Sequence, residues 1–426
     1  MTNLGAHDLT TMFFALAVLL GAAKLAGELI QKLGQPSILG EVSAGILLGP
    51  TVLGRCYPHS YTALFPSTGP VPITIETVIT LGVVFFLLGA GLETRLGSLF
   101  RQGKRALLVS SFGFVFPFVI GFVVADLFPH FLGAELGVNP LIFALFVGTA
   151  LSISALPVIA KILMDLDLLQ TDFGAVVISS ATLDDLVGWI LFGVVLGMIE
   201  AGRSSGILRT IVLVVLFVLL TLTVGRWLIA KMIPFVEKHT SGRGAVLSFI
   251  FTLTLACAGF AEYAGIHAIF GAFIVAIAIG DSLNDALIKD LRQIVTNVFA
   301  PFFFAGIGLR IDFAANFHFG TILGLVAIAC LGKVLGASWG ARLSGMDPLS
   351  AWAVGFAMNA RGAMEIVLST LALRASLIGN RMFVALVVMA LFTSLISATA
   401  IQELMKRNTS TRRHESSGGI GLASGH

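Results

Sequence analysis

The sequence carries little charge for its length. Charged residues make up 12% of its 426 positions and hydrophobic residues 57%. A soluble globular domain has about 25% charged residues, and so few charges cannot coat a water-facing surface of this size. The composition excludes a soluble enzyme, a nucleic-acid-binding protein and a disordered chain. It indicates a membrane protein.

Cysteine, proline and net charge are also scarce. The three cysteines, Cys56, Cys257 and Cys330, form no CxxC pair and no disulfide framework, so we interpret them as small buried apolar residues. A net charge of +3 implies no basic patch for nucleic acid. With 13 prolines and 47 glycines, the chain is neither collagen-like nor rich in linkers.

Long apolar runs account for most of the chain. A helix needs about 20 mostly apolar residues to cross about 30 Å of hydrocarbon, and its backbone groups then find their partners internally. The runs are longer than the strands of a transmembrane barrel. The sequence therefore predicts an all-α polytopic membrane protein with about 13 transmembrane helices. The predicted spans are 9–30, 36–54, 73–92, 106–127, 139–164, 172–200, 207–230, 244–264, 266–280, 292–309, 320–340, 348–373 and 381–405.

The positions of the basic residues predict the orientation. If the N-terminus lies outside, 17 of the 26 lysines and arginines fall in inside loops, 6 in outside loops and 3 within spans. This asymmetry follows the positive-inside rule and predicts a multi-pass inner or plasma membrane protein with a cytoplasmic C-terminus. Residues 407–426 are polar and rich in Gly and Ser, which predicts a disordered cytoplasmic tail.

Two adjacent carboxylates lie near the middle of one predicted span. Asp184 and Asp185 stand at the centre of 172–200, where a charge costs on the order of 2.5–3.5 kcal/mol. Neighbouring residues on a helix are about 100° apart, so only one of them points most directly at a given site. We predict an ion or proton site here. The structural alternative pairs one aspartate with a basic residue and the other with hydroxyls.

A lysine is also buried in an apolar run. Lys333 lies in the span 320–340, about 10 Å from the predicted helix end at 1.5 Å per residue. Snorkelling over that distance is strained, so we expect a carboxylate partner, either Asp184 or Asp185. Glycines at four-residue intervals around Lys333 predict a close helix–helix contact beside it.

One predicted span contains a proline. Pro157 removes a backbone donor and clashes with the preceding turn, so the span 139–164 should break near residues 152–156. The hydroxyls of Ser152 and Ser154 are placed to satisfy the backbone groups that the break leaves free.

A second span is interrupted by polar residues. Asn359, Arg361 and Glu365 fall within 348–373, which runs in the opposite direction to the Pro157 span, as an inverted repeat requires. Two interrupted helices in corresponding halves are typical of a transporter ion site. Arg361 and Glu365 could neutralise the dipoles of the half-helices. A simple i, i+4 salt bridge between them is the other interpretation.

Two sequence features suggest catalysis but do not support it. Gly336-Ala-Ser338-Trp-Gly340 fits the GxSxG pattern, but a nucleophile elbow needs a strand-to-helix turn rather than an apolar span. An intramembrane aspartyl protease would draw its two aspartates from two helices, whereas Asp184 and Asp185 are adjacent on one. We predict that the chain is not an enzyme. A channel remains an alternative, distinguished by current far above carrier rates.

Seven stretches resemble the monovalent cation:proton antiporter-2 family, which includes Kef-type and NapA-type proteins. They are spread across nearly the whole membrane portion. The stretches are GQPSILGEVSAGILLGP, FFLLGAGLE, GTALSISALPVIAKIL, ISSATLDDLVGWILF, FFFAGIGLRID, GKVLGA and MNARGAMEIVL.

The resemblance implies a fold and a division of the chain. The fold is NhaA-type, with inverted repeats and two crossing broken helices in a six-helix core, beside a scaffold domain that forms a homodimer. The membrane domain would cover residues 1–406. The core would comprise about 106–200 and 320–405, and the scaffold about 9–92 and 207–309.

The resemblance also implies the site and its substrates. Asp184 and Asp185 would bind the monovalent cation and protons, and Lys333 would pair with the aspartates. Kef-type relatives carry Gln or Asn before the second aspartate, whereas the Asp–Asp pair with this lysine is linked to electrogenic sodium/proton exchange and pH homeostasis. The transported ions would be Na⁺ or Li⁺ and H⁺, with no cofactor; a potassium/proton antiporter of the same fold is the alternative. The supporting residues would be Ser152, Ser154, Pro157, Thr182, Asn359, Arg361 and Glu365.

Overall fold

The described part of the chain is helical. The computed structural model describes residues 5–32, 37–93, 96–135, 137–166, 168–200, 207–240, 243–280 and 282–418. Within these ranges the one β feature is an isolated bridge between Ala134 and Ile378. The predicted all-α fold class is confirmed.

The helices are numbered in chain order. They are α1 (Ala6–Lys32), α2 (Ser37–Leu48), α3 (Leu53–Cys56), α4 (Pro58–Leu64), α5 (Pro70–Glu93), α6 (Leu96–Leu127), α7 (Pro140–Ser152), α8 (Leu156–Asp165), α9 (Asp172–Glu200), α10 (Ile207–Leu220), α11 (Arg226–His239), α12 (Arg243–Tyr263), α13 (Ala268–Gly280), α14 (Asp285–Ile294), α15 (Ala300–Arg310), α16 (Phe319–Leu343), α17 (Pro348–Met358), α18 (Ala363–Arg374) and α19 (Asn380–Gly418). Two π-helical segments, Thr221–Gly225 and Val295–Phe299, join α10 to α11 and α14 to α15.

Each predicted span has a helical counterpart. Among the described residues, nine helices are long and apolar enough to cross a membrane, and α7, α13 and α17 are shorter apolar helices. The predicted spans 139–164 and 348–373 each consist of two short helices, α7 with α8 and α17 with α18. The breaks lie at residues 153–155 and 359–362.

Some helix ends differ from the prediction. The helix predicted from residue 292 begins at Asp285, because the Asn284 side chain accepts a hydrogen bond from the Leu287 N–H and caps it. The helix predicted to end at residue 230 continues to His239. Charged, amphipathic turns extend both helices beyond their apolar runs, which alone defined the predicted limits.

The last helix also extends beyond its predicted end. α19 reaches Gly418 and therefore covers much of the segment 407–426, for which the sequence predicts disorder. A Glu403–Arg407 pair at 2.9 Å supports its continuation by i, i+4 contact. Residues 419–426 lie outside the described residues, and their disorder stays a prediction.

The chain divides into two compact units. Unit 1 comprises Met1–Leu96 and Gly193–Phe317, and unit 2 comprises Gly97–Phe192 and His318–His426. Each unit is therefore built from two separate stretches of sequence.

Unit 1 has an apolar core. Twelve of the 13 residues of α13 are buried, which is the pattern of a helix packed on all sides. Phe85 meets Phe251 edge to face with ring centroids 4.8 Å apart. A Cβ at Gly45 would overlap the carbonyl of Ala305, so glycine lets α2 approach the backbone of α15.

Unit 2 positions Lys333 through a close contact between α6 and α16. A Cβ at Gly336 would overlap the Phe112 carbonyl, and one at Gly340 the Leu108 carbonyl. The glycines of α16 therefore lie against the backbone of α6. Lys333 stands one turn before Gly336 and is fully buried.

Candidate functional site

The two broken helices of unit 2 begin in the same way. Asn139 caps α7 by accepting a hydrogen bond from the Leu141 N–H, and a proline follows it. Asp347 caps α17 by accepting from the Ser350 N–H, again with a proline next. This Asx-Pro start fixes where each first half-helix begins.

Both first half-helices end inside the protein. α7 ends at Ser152, the chain is extended at Ile153 and Ala155, and Pro157 occupies the first turn of α8. Proline is tolerated in a first turn because the N–H it lacks has no partner in the helix. The break in the structure therefore lies within the predicted range, residues 152–156.

The two breaks contact each other. The Ala155 N–H donates a hydrogen bond to the Ala360 carbonyl at 2.9 Å. The Ser154 hydroxyl lies 2.9 Å from the Met358 carbonyl at the end of α17. The crossing therefore satisfies backbone groups that two interrupted helices would otherwise leave without partners in an apolar medium.

A buried ion pair stands beside this crossing. Lys333 Nζ lies 2.5 Å from Asp184 Oδ2, and both side chains are fully buried. The same ammonium donates to the Ser152 carbonyl. Its charge therefore offsets both a carboxylate and the negative end of the α7 dipole. The sequence left either aspartate open as the partner, and the structure pairs Lys333 with Asp184.

Two hydroxyls also approach Asp184. The Ser110 hydroxyl of α6 donates to Oδ1 at 2.6 Å, and the Ser154 hydroxyl lies 3.1 Å from Oδ2. With Lys333, three donors from three parts of the chain converge on one carboxylate. Hydrogen bonds of this kind favour the ionised form of a buried acid.

Asp185, the second carboxylate of the pair, is also buried. It is 1% exposed and lies within electrostatic reach of Lys333. Because consecutive residues on α9 project about 100° apart, the two carboxylates present different faces to the site. The pair is therefore not two copies of one ligand.

Arg361 forms the i, i+4 salt bridge with Glu365 and also lies at the end of a half-helix. Arg361 Nη1 lies 2.8 Å from Glu365 Oε2, four residues along the chain. Its guanidinium also donates to the carbonyls of Ala150, at 2.9 Å, and Leu151, in the last turn of α7. Glu365 lies in the first turn of α18. The cation therefore meets a negative helix end and the anion a positive one.

The remaining predicted residues are not equally close to the carboxylates. Ser152 lies in the crossing, where its hydroxyl is 2.7 Å from the Gly148 carbonyl. Asn359 lies in the second break, and its amide donates to Cys330 Sγ at 3.4 Å. Thr182 is buried, but its hydroxyl donates to Ile178 within α9 at 2.8 Å. No described hydrogen bond brings Thr182 to the carboxylates.

Sequence reasoning missed two hydroxyls. Ser110 contacts Asp184, and Ser394 of α19 donates to the Arg361 carbonyl. Ser110 and Ser111 are a pair of hydroxyls in an otherwise apolar span, which was a usable signal. The sequence alone did not indicate which of the two faces inward.

The geometry fits reversible competition for oxygen ligands. Carboxylate, hydroxyl and main-chain oxygens are the donors that hard cations prefer. A lysine ammonium already bonded to a carboxylate and a carbonyl occupies ligands that a metal cation would need. In this structure the Lys333 ammonium takes up Asp184 Oδ2 and the Ser152 carbonyl.

Two broken helices cross in this helical membrane protein, and a buried acid–base pair lies at the crossing. This is the architecture of a secondary ion transporter. The family model described as "Sodium/hydrogen exchanger, transmembrane" matches residues 15–407. The chain belongs to this family, and the predicted family resemblance is confirmed.

Two relatives match over nearly the whole chain. The Na(+)/H(+) antiporter NhaS4 of Synechocystis sp. is 30% identical over 406 residues, covering 93% of this chain and 98% of that protein. Cation/H(+) antiporter 17 of Arabidopsis thaliana is 30% identical over 409 residues, covering 94% of this chain and 49% of the relative. The chain therefore spans about half the length of this plant relative.

A solved structure has the same fold. The sodium proton antiporter MjNhaP1 from Methanocaldococcus jannaschii, at pH 8, matches with a TM-score of 0.66. The match covers 93% of this chain and 97% of that one at 17% identity. At this identity the likeness concerns the fold alone.

Proposed function

We propose that this chain is an electrogenic antiporter that exchanges sodium or lithium for protons at Asp184 and Asp185. The observation that carries the proposal is the fully buried Lys333–Asp184 pair at the crossing of two broken helices, with a second buried carboxylate next to it. Membership of the sodium/hydrogen exchanger family supports proton-coupled cation transport. A potassium/proton antiporter of the same fold is the second candidate.

The proposed cycle begins from the proton-loaded site. Asp185 is protonated and Lys333 is paired with Asp184, an arrangement that the observed ion pair supports. An arriving cation takes Asp185 and a share of Asp184, and water and main-chain oxygens of the first break complete its shell. Asp185 gives up its proton as the cation binds.

Lys333 supplies the second proton. When the cation draws Asp184 away, the ammonium is left buried without its counter-charge, which is strongly disfavoured, and it releases a proton. Exchange of one cation for the protons of Asp185 and Lys333 moves net charge. About 2.3 kcal/mol per elementary charge per 100 mV then becomes available to drive cation export.

The proposal extends to the two units. Unit 2 contains the described site residues and is the core, which carries the site across the membrane by rigid-body movement. Unit 1 is the scaffold, and two copies of the chain pair through it as a homodimer. The N-terminus lies outside and the C-terminus in the cytoplasm, in agreement with the distribution of basic residues.

The test is proton flux in proteoliposomes that contain the purified full chain. We expect addition of Na⁺ or Li⁺ to cause proton movement, with the rate changing when the membrane potential is clamped. A response to K⁺ alone selects the second candidate. Potential-independent exchange contradicts electrogenicity, conduction far above carrier rates indicates a channel, and absence of cation-dependent proton flux contradicts antiport.

The site assignment predicts that Asp185→Asn abolishes exchange, because the amide can neither bind nor release the coupled proton. Asp126→Asn is the matched control, since Asp126 is an exposed carboxylate of the same unit. The measurement is the same flux assay, with correct folding checked by thermal unfolding in detergent. Retention of Na⁺-dependent proton flux by a folded Asp185→Asn protein contradicts the assignment.

A further inference from the structure

Asn359 is a fully buried amide whose oxygen has no described hydrogen-bond partner. Its Nδ2 donates to Cys330 Sγ at 3.4 Å. Its Oδ1 meets no donor among the residues that the structure describes. Buried amide oxygens in native folds nearly always have a partner, so an unpaired one calls for an explanation, such as a water or an ion that binds there.

The backbone places Asn359 inside the crossing of the two breaks. The residue before it, Met358, has its carbonyl 2.9 Å from the Ser154 hydroxyl. The residue after it, Ala360, accepts the hydrogen bond of the Ala155 N–H at 2.9 Å. Asn359 is therefore flanked on both sides by residues that contact the first break.

Two short routes connect Asn359 to the buried ion pair. Cys330, which accepts its amide hydrogen bond, lies three residues before Lys333, about one turn along α16. On the other side, the Ser154 hydroxyl lies 3.1 Å from Asp184 Oδ2. The amide thus stands in the same buried polar cluster as the candidate ion ligands.

The usual reasons for asparagine at a helix end do not account for this amide. Asparagine is favoured after a helix where the backbone needs a positive φ, but Asn359 has a φ of −80°. Its own N–H already bonds within the last turn of α17, to the Gly355 carbonyl at 3.2 Å. The hydrogen bond to a thiol is weak, because sulfur is a poor acceptor.

The orientation of the amide also favours a cation as its partner. Turning it over would give the oxygen to a weak thiol donor and leave two N–H donors in a cluster that already holds the Lys333 ammonium. With Nδ2 on Cys330, the hard oxygen is the end that is free to bind a ligand. Amide and carbonyl oxygens are ligands that hard cations accept.

We propose that Asn359 Oδ1 is a ligand of the transported monovalent cation, where it takes the place of one water in the shell. This inference rests on the proposed antiport function, because it adds a ligand to the same site. An amide oxygen strengthens cation binding and carries no proton of its own. Asn359 therefore sets the affinity for the cation and leaves the number of exchanged protons unchanged.

The test is the cation dependence of proton flux in proteoliposomes that contain the full chain. Asn359→Leu removes the oxygen and keeps a side chain of similar length. We expect the concentration for half-maximal flux to rise by about tenfold, while the charge moved per cation stays as in wild type. Na⁺ is the probe, or K⁺ where wild type exchanges that ion. Asn359→Ala carries the same expectation and serves if the leucine variant does not fold.

Two controls separate a ligand from a structural amide. Asn380→Leu makes the same substitution at an exposed asparagine of the same unit and should match wild type. Cys330→Ala removes the thiol that accepts from Nδ2 and leaves Oδ1 in place, so its half-maximal concentration should also stay close to that of wild type.

A second readout does not depend on the transport rate. Thermal stabilisation of the purified protein in detergent is measured against the concentration of the same cation at one pH. A ligand that binds the folded state raises the unfolding temperature in proportion to its affinity. The folded Asn359 variant should need about tenfold more cation for the same stabilisation.

The outcomes distinguish this inference from the function on which it rests. If wild type shows no cation-dependent proton flux, the proposed function fails. If wild type exchanges ions and the Asn359 variant matches Asn380→Leu in both readouts, Asn359 is not a ligand. An equal rise in Cys330→Ala also overturns the proposal, because the amide would then act through its contact with α16. A changed charge per cation in the Asn359 variant would contradict a role in affinity alone.

Discussion

The two units bury very different side chains. Of the 22 buried polar or charged residues in the described part of the chain, two, Glu41 and Thr254, belong to unit 1, and the other 20 to unit 2. Unit 1 fills its interior with aliphatic helices such as α13 and with phenylalanine pairs. Unit 2 buries five acids and bases in its crossing and the neighbouring helices: Asp184, Asp185, Lys333, Arg361 and Glu365.

This difference teaches where polar burial is tolerated. A buried polar group costs free energy unless it is hydrogen-bonded, and a charge costs more unless it is paired. In unit 2 the broken helices supply carbonyl and N–H groups that an unbroken helix would use in its own hydrogen bonds. The interruptions therefore provide hydrogen-bond partners for the buried charges of unit 2. In the described part of unit 1, Glu41 and Thr254 are the buried polar or charged side chains.

The largest stability effect should come from breaking the pairing in unit 2. Arg361→Ala leaves Glu365 buried without its counter-charge and the carbonyls of Ala150 and Leu151 without a donor. We expect a loss of about 3–5 kcal/mol. The measurement is the midpoint of thermal unfolding in detergent.

An exposed pair with the same spacing provides the control. Arg407 and Glu403 are also four residues apart, with side chains 67% and 57% exposed. Arg407→Gln should lower stability by less than about 1 kcal/mol, as surface pairs do. Equal effects of Arg361→Ala and Arg407→Gln would mean that burial does not distinguish the charges of unit 2.

We expect a smaller effect, on the rate of exchange, from substitution of Glu41, the buried acid of unit 1 among the described residues. Glu41 is buried in α2, and Lys24 acts electrostatically on its carboxylate. Glu41→Gln preserves shape and removes the charge, so we expect exchange at close to the wild-type rate in the proteoliposome assay. Loss of exchange comparable to that of Asp185→Asn would break the comparison by placing an essential acid in unit 1.

The smallest effect on stability should come from a surface ion pair of unit 1. Arg55 Nη2 lies 2.7 Å from Asp312 Oδ2, and both side chains are partly exposed. Partial burial raises the pKa of Asp312, but the N–H donors of Ala315 and Ala314 and the Arg55 side chain outweigh it, so the pKa lies below its usual value. We expect Arg55→Gln to cost less than about 1 kcal/mol near neutral pH.

The sign of the pH dependence follows from that lowered pKa. A depressed carboxyl pKa contributes stability above the unfolded value of about 3.9, and this contribution is lost as the pH falls through the folded value. The difference in unfolding midpoint between wild type and Arg55→Gln should therefore be present at neutral pH and vanish in acid. A difference that grows as the pH falls would contradict this.

The breaks were predictable because their cause is local. Pro157 lacks an N–H wherever it stands, and Asn359, Arg361 and Glu365 are polar in any surroundings, so both interruptions are visible in the sequence. The ends of α11, α14 and α19 were less predictable. Amphipathic turns outside the apolar runs extend these helices, and the runs alone set the predicted limits.

The partners within the site were less predictable because they depend on helix rotation. Asp184 and Asp185 are adjacent, as are Ser110 and Ser111, and a rotation of about 100° exchanges which member faces the site. A half-buried helix would reveal its rotation by its polar face. α9 is buried on several sides near the pair, so its apolar pattern does not set the angle.

The hydrogen bond from the Ala155 N–H to the Ala360 carbonyl ties the two interrupted helices together through main-chain atoms alone. Side chains around the crossing can therefore be exchanged without removing this tie. Ser154 and Arg361 add contacts across the crossing that do depend on side chains. A substitution at Ser154 or Arg361 would therefore weaken the contact between the two breaks and leave its main-chain hydrogen bond in place.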